Sequence, residues 1–282
     1  MTRWRAWLPL CLSLVSAAAG AATELGTVTL AEGGARVLRG ATWYKLAAGL
    51  RVEEGDILAG SERGQVQIEF TGGSVANLPG DFTLYFAPPP KSAPSLVLAL
   101  PAGWLKIVIA PPGVRLHLPP FDTVAAEGIL VVHAQGAAAD LFVETGSAKL
   151  VDMTPAGADA DTRDAKRGEY WAKAAPGAFT SMPRAPRAFV EAMPRNFVDP
   201  LPLLAGKIKS KPVLVADHEV TYAEAEPWLA GRERAAFEKR FTPRLRDPAF
   251  RHAVEPNISR YPVWDRMLHP EKYLPKEPKT TP

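Results

Sequence analysis

Apolar and polar residues alternate in short runs through the first half of the chain, and glycine or proline separates one run from the next. Val66, Ile68 and Phe70 alternate with polar residues, which is typical of a strand with one buried face. Gly73 and Ser74 follow closely, and this composition favours a tight reversal into the next strand. A second alternation begins soon afterwards, with Phe82, Leu84 and Phe86 on one side. The pattern therefore predicts consecutive strands joined by hairpin turns.

Strand-like runs continue to about residue 152, at a spacing close to the roughly 8 to 12 residues of sandwich or barrel strands. The clearest of the later runs are residues 96–100, 104–109, 114–118, 129–134 and 141–144. We therefore expect an N-terminal all-β domain, sandwich-like or barrel-like, over residues 23–153. The proline run at residues 88–90 predicts a loop or a sheet crossing inside it.

The pattern changes after residue 153. Residues 154–219 are rich in Ala, Gly, Asp, Lys and Pro, which predicts a proline-rich linker with only short elements. Helical signals then begin with Thr221 and Glu224, which match a capping box. We expect a small helical C-terminal module over residues 220–273 and a disordered tail over 274–282. The predicted fold class is α+β.

The first 22 residues read as a secretory signal peptide. Arg3 and Arg5 precede an apolar run, and small residues follow it, so that cleavage after Ala21 or Ala22 fits equally well. A retained membrane anchor is the alternative, but the apolar run is shorter than the roughly 20 residues that span a bilayer. The expected location is periplasmic or secreted, with no transmembrane helix in the mature chain.

Composition and motifs argue against thiol chemistry, nucleic-acid binding and nucleotide cofactors. The single cysteine, Cys11, lies in the leader, so the mature chain is expected to have no thiol for disulfides, metal binding or catalysis. The formal charge of +3 falls to +1 once Arg3 and Arg5 are removed, which gives no reason to expect a nucleic-acid partner. Neither a GxGxxG nor a P-loop motif lies between a strand and a helix, and no cofactor is predicted.

Four residues of the β-domain have side chains that can bind metals or transfer protons. They are His117, Asp122, Glu127 and His133. Their spacing matches neither HxH nor HExxH, so scattered surface positions are the simpler interpretation and no metal is predicted. GxSxG and SxxK motifs are missing as well, which favours a protein that is not an enzyme.

Aromatic residues offer the best candidates for ligand binding. Trp43 and Tyr44 lie beside Gly40 in a predicted hairpin connection, where exposed rings could stack on a ligand. Core or interdomain packing is favoured for the three tryptophans that sit in apolar patterns, Trp104, Trp228 and Trp264.

Gly55-Asp56-Ile57 and the downstream Gly73-Ser74 form a spaced pair of turn motifs among the strand residues. With this pair as its most diagnostic part, the order of turn and strand residues resembles the FecR-type domain of bacterial envelope proteins, well over residues 26–84 and more loosely to 151. Gly55, Asp56, Gly73 and Ser74 are interpreted as structural turn residues. The best-known members of the family relay the state of an outer-membrane iron-siderophore receptor to a cytoplasmic sigma factor. Only five residues precede the apolar run here, so the chain looks more like exported proteins in which this domain stands beside a second module.

The sequence thus predicts a non-enzymatic, exported cell-envelope protein that uses a FecR-type domain to bind a protein or an envelope polymer such as polysaccharide or peptidoglycan. An alternative is a periplasmic sensor or signalling accessory of an outer-membrane uptake system. A third hypothesis, from another class, is a carbohydrate-active enzyme with separated carboxylates, for which Glu53-Glu54 or Glu224 and Glu226 are the candidate pairs.

Overall fold

A computed structural model describes residues 23–90, 96–153, 161–209 and 212–274. The predicted signal peptide and all but the first residue of the predicted disordered tail lie outside these ranges, and both stay predictions. Over the described residues the chain is mostly β, with helices near the C-terminus, which confirms the predicted α+β class.

Seventeen strands form within the described residues, numbered in chain order. The first eight are β1 Glu24–Glu32, β2 Arg36–Arg39, β3 Thr42–Lys45, β4 Arg51–Glu53, β5 Ile57–Ala59, β6 Gln65–Phe70, β7 Val75–Pro79 and β8 Thr83–Ala87. The next five are β9 Leu96–Ile109, β10 Val114–His117, β11 Phe121–Ala125, β12 Gly128–Gln135 and β13 Ala138–Asp152. The last four are β14 Thr162–Lys166, β15 Tyr170–Ala174, β16 Thr180–Met182 and β17 Val215–Glu219.

The strands form two layers, here called sheet 1 and sheet 2. Sheet 1 has the order β4-β1-β6-β7-β9-β12-β13-β15-β16. Sheet 2 has the order β17-β3-β2-β5-β8-β9-β10-β11-β13-β14, and its β9–β10 pair is parallel whereas the other neighbours are antiparallel. Apolar side chains of the two layers meet in an inner core that includes Val37, Ile68, Phe86 and Leu141. The two layers form a sandwich, one of the two arrangements expected for the β-domain.

Two long strands, β9 and β13, belong to both sheets because each bends at a glycine. Residues 96–102 of β9 pair in sheet 2, and the remainder pairs in sheet 1 from Gly103 onward. Gly103 has φ +105°, and a Cβ there would lie 2.5 Å from the Cβ of Phe82. Gly146 of β13 has φ +78°, and a Cβ there would lie 2.5 Å from the carbonyl oxygen of Glu127. Only glycine allows both the conformation and the close approach.

The strands do not stop at residue 153. β14, β15 and β16 extend the two sheets from β13, and β17 pairs with β3. Four strands of three to five residues therefore lie in the predicted linker, for which only short elements are expected. Apolar alternation does not reveal β14, β15 and β16 as strands, because they are short and few of their residues are buried.

Residues 183–209, here called the crossing segment, lie across the outer face of sheet 1. The segment contains α1 Arg187–Ala192 and two 3-10 turns, and Phe189 and Phe197 pack with Val131 and Tyr170 of the sheet. Polar side chains of the sheet bind its backbone. Lys106 Nζ donates to the carbonyl of Phe197 at 2.6 Å, Gln67 Nε2 donates to that of Pro202 at 2.7 Å, and Glu69 accepts from the N–H of Ala205 at 2.9 Å.

The helical module covers the outer face of sheet 2 in the same way. Its helices are α2 Tyr222–Ala230, α3 Arg234–Phe241, α4 Pro248–Val254 and α5 Pro262–Leu268, with 3-10 turns at Thr242–Arg246, Glu255–Arg260 and Pro270–Tyr273. The predicted capping box at Thr221 is confirmed, and Asp247 caps α4. At the end of α3, the Thr242 hydroxyl donates to the carbonyl of Glu238.

Replacing Gly103 by alanine is expected to lower the free energy of unfolding by about 2 kcal/mol or more, since the new Cβ is strained at positive φ and also meets Phe82. Gly34→Ala is the matched control, because Gly34 has φ +81° but nothing lies within 4 Å of the position that its Cβ would take. Urea denaturation of both variants measures the difference. Equal losses would show that the close approach at the β9 bend contributes nothing.

Candidate functional site: a cleft between sheet 2 and the helical module

A cleft of about 480 Å³ opens where the helical module meets the outer face of sheet 2. One wall comes from β8, β9 and β10, and includes Tyr85, Ala99 and Pro101. The other comes from the end of α2 and the start of α3, and includes Trp228 and Phe237. The volume lies within the range of about 300 to 1,000 Å³ that is usual for small-molecule sites.

Strand periodicity places the first wall. In β8, Leu84 and Phe86 point into the inner core, so Tyr85 between them faces the helices. β9 repeats this arrangement, with Leu98 and Leu100 inward and Ala99 outward. Because residues alternate between the two faces, each strand contributes side chains to both the cleft and the inner core.

Three aromatic rings make the cleft mainly apolar. The Tyr85 ring centroid lies 5.6 Å from that of Trp228 and 5.1 Å from that of Phe237, and Trp228 and Phe237 are 5.0 Å apart. Such contacts hold the rings rigidly against one another. Tyr85 and Phe237 are only 5% and 2% exposed, so the half-buried Trp228 presents most of the ring surface to the cleft.

The polar end of the cleft is built by a cross-strand pair and one arginine. His117 of β10 lies opposite Asp122 of β11, with Nδ1 2.8 Å from Oδ1. Arg232, from the turn between α2 and α3, places NH1 3.1 Å from Asp122 Oδ1 and 2.7 Å from His117 Nδ1. Arg115 adds a longer contact of 3.8 Å to the same carboxylate. Asp122 is only 7% exposed.

The environment of Asp122 favours its ionised form. Burial alone would raise the pKa of the carboxyl group, but the hydrogen bond and charge of His117, together with those of Arg232, outweigh it. The pKa of Asp122 is therefore lower than its ordinary value. Asp122 thus holds a negative charge behind His117 and Arg232, the residues that line this end of the cleft.

The structure brings together only two of the four candidate metal or acid-base residues. His117 and Asp122 are paired, whereas His133 stacks on Trp104 with ring centroids 4.2 Å apart, and Glu127 is exposed near the turn between β11 and β12. Among the residues that the structure describes, no group of three or more His, Cys, Asp or Glu side chains is placed to hold a metal ion.

The expectation that Trp43 presents an exposed ring is wrong. Its exposed fraction is 5%, and it packs in the second core between sheet 2 and the helices. The guanidinium carbon of Arg36 lies 5.0 Å from its ring centroid. Tyr44 is half-buried and packs against the inner core. Local sequence does not reveal this burial, because the helices that cover β3 lie near the other end of the chain.

The other tryptophans divide between packing and the cleft. Trp104 packs with Phe189 and His133, and Trp264 is fully buried, as expected. Trp228 is half-buried and lines the cleft. Its neighbour Pro227 lines the cleft as well.

The proposed turn residues do more than shape turns. Asp56 is 1% exposed, and it accepts from Arg39 Nε at 2.9 Å, from Arg39 NH2 at 2.6 Å and from the N–H of Glu53 at 2.9 Å. Ser74 Oγ accepts from the N–H of Ala110 at 3.0 Å. Gly73 lies in the turn that joins β6 to β7. Asp56 and Ser74 therefore also tie separate strands together.

Comparison with known proteins finds similarity at the level of solved structures. No family model matches this chain, and no curated protein matches it. Two crystal structures of a candidate anti-sigma factor from Parabacteroides distasonis ATCC 8503 are similar at 13% identity, with TM-scores of 0.38 and 0.39. The similarity covers 45% and 48% of this chain, and the chain spans 59% and 64% of those chains. The FecR-type resemblance stays a prediction.

The helices of the module are short, and none of the helices formed by the described residues is long and apolar enough to cross a membrane.

Trp43→Ala is expected to lower the free energy of unfolding by about 3 to 5 kcal/mol, because a fully packed ring is removed from the second core. Trp43→Phe is the control and should lower the free energy of unfolding much less, because within the described residues the indole Nε1 has no hydrogen-bond partner to lose. Chemical denaturation measures both. An alanine variant as stable as the native protein would contradict the assignment of Trp43 to the core.

Asp122→Asn is expected to change stability in a pH-dependent way. Because the pKa of Asp122 is lower in the folded protein, its ionised form contributes stability that is complete above the unfolded value of about 4 and is lost as pH falls through the folded value. The difference in melting temperature between native protein and variant should therefore be largest near neutral pH and shrink in acid. Glu127→Gln, at an exposed position, controls for loss of a charge. A difference that does not change with pH would contradict the expectation.

Proposed function

We propose that the protein is an exported, non-enzymatic binding protein of the cell envelope, and that the cleft is its ligand site. The observation that carries this proposal is the combination of a rigid aromatic wall with one polar end in a concavity of about 480 Å³. Sites for small molecules have this composition, in which apolar area supplies affinity and a few polar groups fix orientation.

The paired state of the polar groups supports binding rather than catalysis. A glycosidase needs two carboxyl groups facing one another across its substrate. Of the candidate carboxylates, Glu53 is paired with Arg39 at 2.7 Å, and Glu224 accepts from the capping-box backbone and lies 3.0 Å from His218. These groups are occupied in holding strands and helices, and they lie outside the cleft lining.

Export and envelope location rest on the leader and on the resemblance to FecR-type domains. A ligand for an exported protein would come from an envelope polymer, a protein or a free molecule in the same compartment. The two walls of the cleft come from the sandwich and from the helical module, so a bound ligand contacts both. This arrangement supports the second candidate function, a periplasmic sensor or signalling accessory whose module responds to the ligand.

The test fills the cleft with a side chain. Ala99 lies on its sheet wall and is half-buried, so Ala99→Phe is expected to place a ring in the binding space. Mature protein is incubated with an envelope extract that contains soluble peptidoglycan and polysaccharide fragments, and retained molecules are measured by mass spectrometry. We expect a loss of retained ligand in the variant of about tenfold or more, since the space for the ligand is filled.

Ala137→Phe is the matched control, because Ala137 is exposed in the turn between β12 and β13 and away from the cleft. Its melting temperature and ligand retention should equal those of the native protein. Equal retention by both variants would place the site elsewhere. Conversion of a retained molecule to a product would contradict the non-enzymatic part of the proposal.

A further inference from the structure

Arg232 has donors that its present partners do not fully use. Its NH1 is directed to Asp122 and His117, but its NH2 contacts the Sδ of Met153. A thioether sulfur is a weak acceptor, whereas guanidinium binds carboxylates strongly and often through two parallel hydrogen bonds. The NH2 edge is therefore a position where a stronger acceptor would bind in place of Met153, which itself lines the cleft.

A second arginine increases this surplus of donors. Arg115 NH1 lies 3.8 Å from Asp122 Oδ2, and among the described residues its buried Nε has no hydrogen-bond partner. Among the described residues, two guanidinium groups thus lie within 4 Å of a single carboxylate at this end of the cleft. Their remaining donors match an acceptor that carries a negative charge.

Glu233, at the start of α3, is a carboxylate residue that lines the cleft together with Tyr85. Burial, followed by the charge of Glu233, raises the pKa of Tyr85. A ligand with its charge near Glu233 would be repelled if it were anionic. An anionic head is therefore favoured only beside Arg232, and the body of the ligand lies along the rings.

We propose that the cleft binds an amphipathic monocarboxylate, with its carboxylate on the guanidinium of Arg232 and its hydrocarbon body on Tyr85, Trp228 and Phe237. This inference rests on the proposed function and specifies the ligand class. Apolar burial on the aromatic wall supplies affinity, and the planar donor fork of Arg232 supplies selectivity for the head group.

The test compares three probes that share one hydrocarbon chain. Decanoate, decanol and decyltrimethylammonium, each below its micelle concentration, are titrated into the mature protein by calorimetry. We expect decanoate to bind about tenfold more tightly than decanol, or better, and the ammonium probe to bind most weakly. Arg232→Gln should reduce decanoate affinity to that of decanol while leaving decanol affinity unchanged. Arg232→Lys keeps the charge but loses the planar fork, so its decanoate affinity should be intermediate.

Failure of this inference can be separated from failure of the proposed function. The proposal of a monocarboxylate ligand would be overturned by equal affinity for decanoate and decanol, by tighter binding of the ammonium probe, or by no binding of decanoate. In each case Ala99→Phe could still abolish retention of the envelope ligand. An equal loss of decanoate and decanol affinity in Arg232→Gln would overturn the role of Arg232 as the head-group partner. Unchanged decanoate binding by Ala99→Phe would overturn the cleft as the decanoate site, whereas the retention assay alone tests the cleft as the site of the envelope ligand.

Discussion

A half-buried arginine of α3 ties the helical module, and with it one wall of the cleft, to the sandwich. Arg240 of α3 donates to the carbonyl oxygens of Leu38 at 2.9 Å, of Gly55 at 2.6 Å and of Gly40, all in sheet 2 or its turns. Burial lowers its pKa, and carbonyl groups rather than a carboxylate compensate its charge. Such compensation requires all three carbonyls to be in place. The position of α3, and with it the second wall of the cleft, therefore depends on the geometry of β2 and the turn before β5.

Sequence patterns are informative wherever strand alternation decides the structure. They predict the inward residues of β6 and β8 correctly, since period-2 alternation is local. They do not predict what covers the outer faces. Gln67 and Lys106 are each 1% exposed although they are polar, because the crossing segment satisfies them with backbone carbonyls. The wrong prediction for Trp43 has the same cause, since its cover lies far away along the chain.

The site itself follows from the sequence only in part. His117 and Asp122 are recognisable as groups that can react or bind, and the structure places them together, but as the polar end of a cleft. The sequence does not identify Arg232 as a site residue, because it begins a run of charged residues that is typical of a solvated helix face. Tyr85 and Trp228 are brought together only by tertiary packing. Local patterns supply the strands and caps, whereas the cleft depends on contacts between distant segments.

The pairing of β17 with β3 has a consequence for how the chain matures. Thr42 and Glu219, which join these strands through a 2.7 Å hydrogen bond, are 177 positions apart. A chain emerging N-terminus first completes the β2–β3 hairpin long before β17 is available, and β3 is then a free edge that carries the apolar Trp43. Free edges of this kind pair readily with other chains. The β3 edge therefore stays prone to aggregation until β17 and the helices have been made. A C-terminal truncation would leave this edge uncovered, and would thus lower the solubility of the whole sandwich as well as remove the cleft.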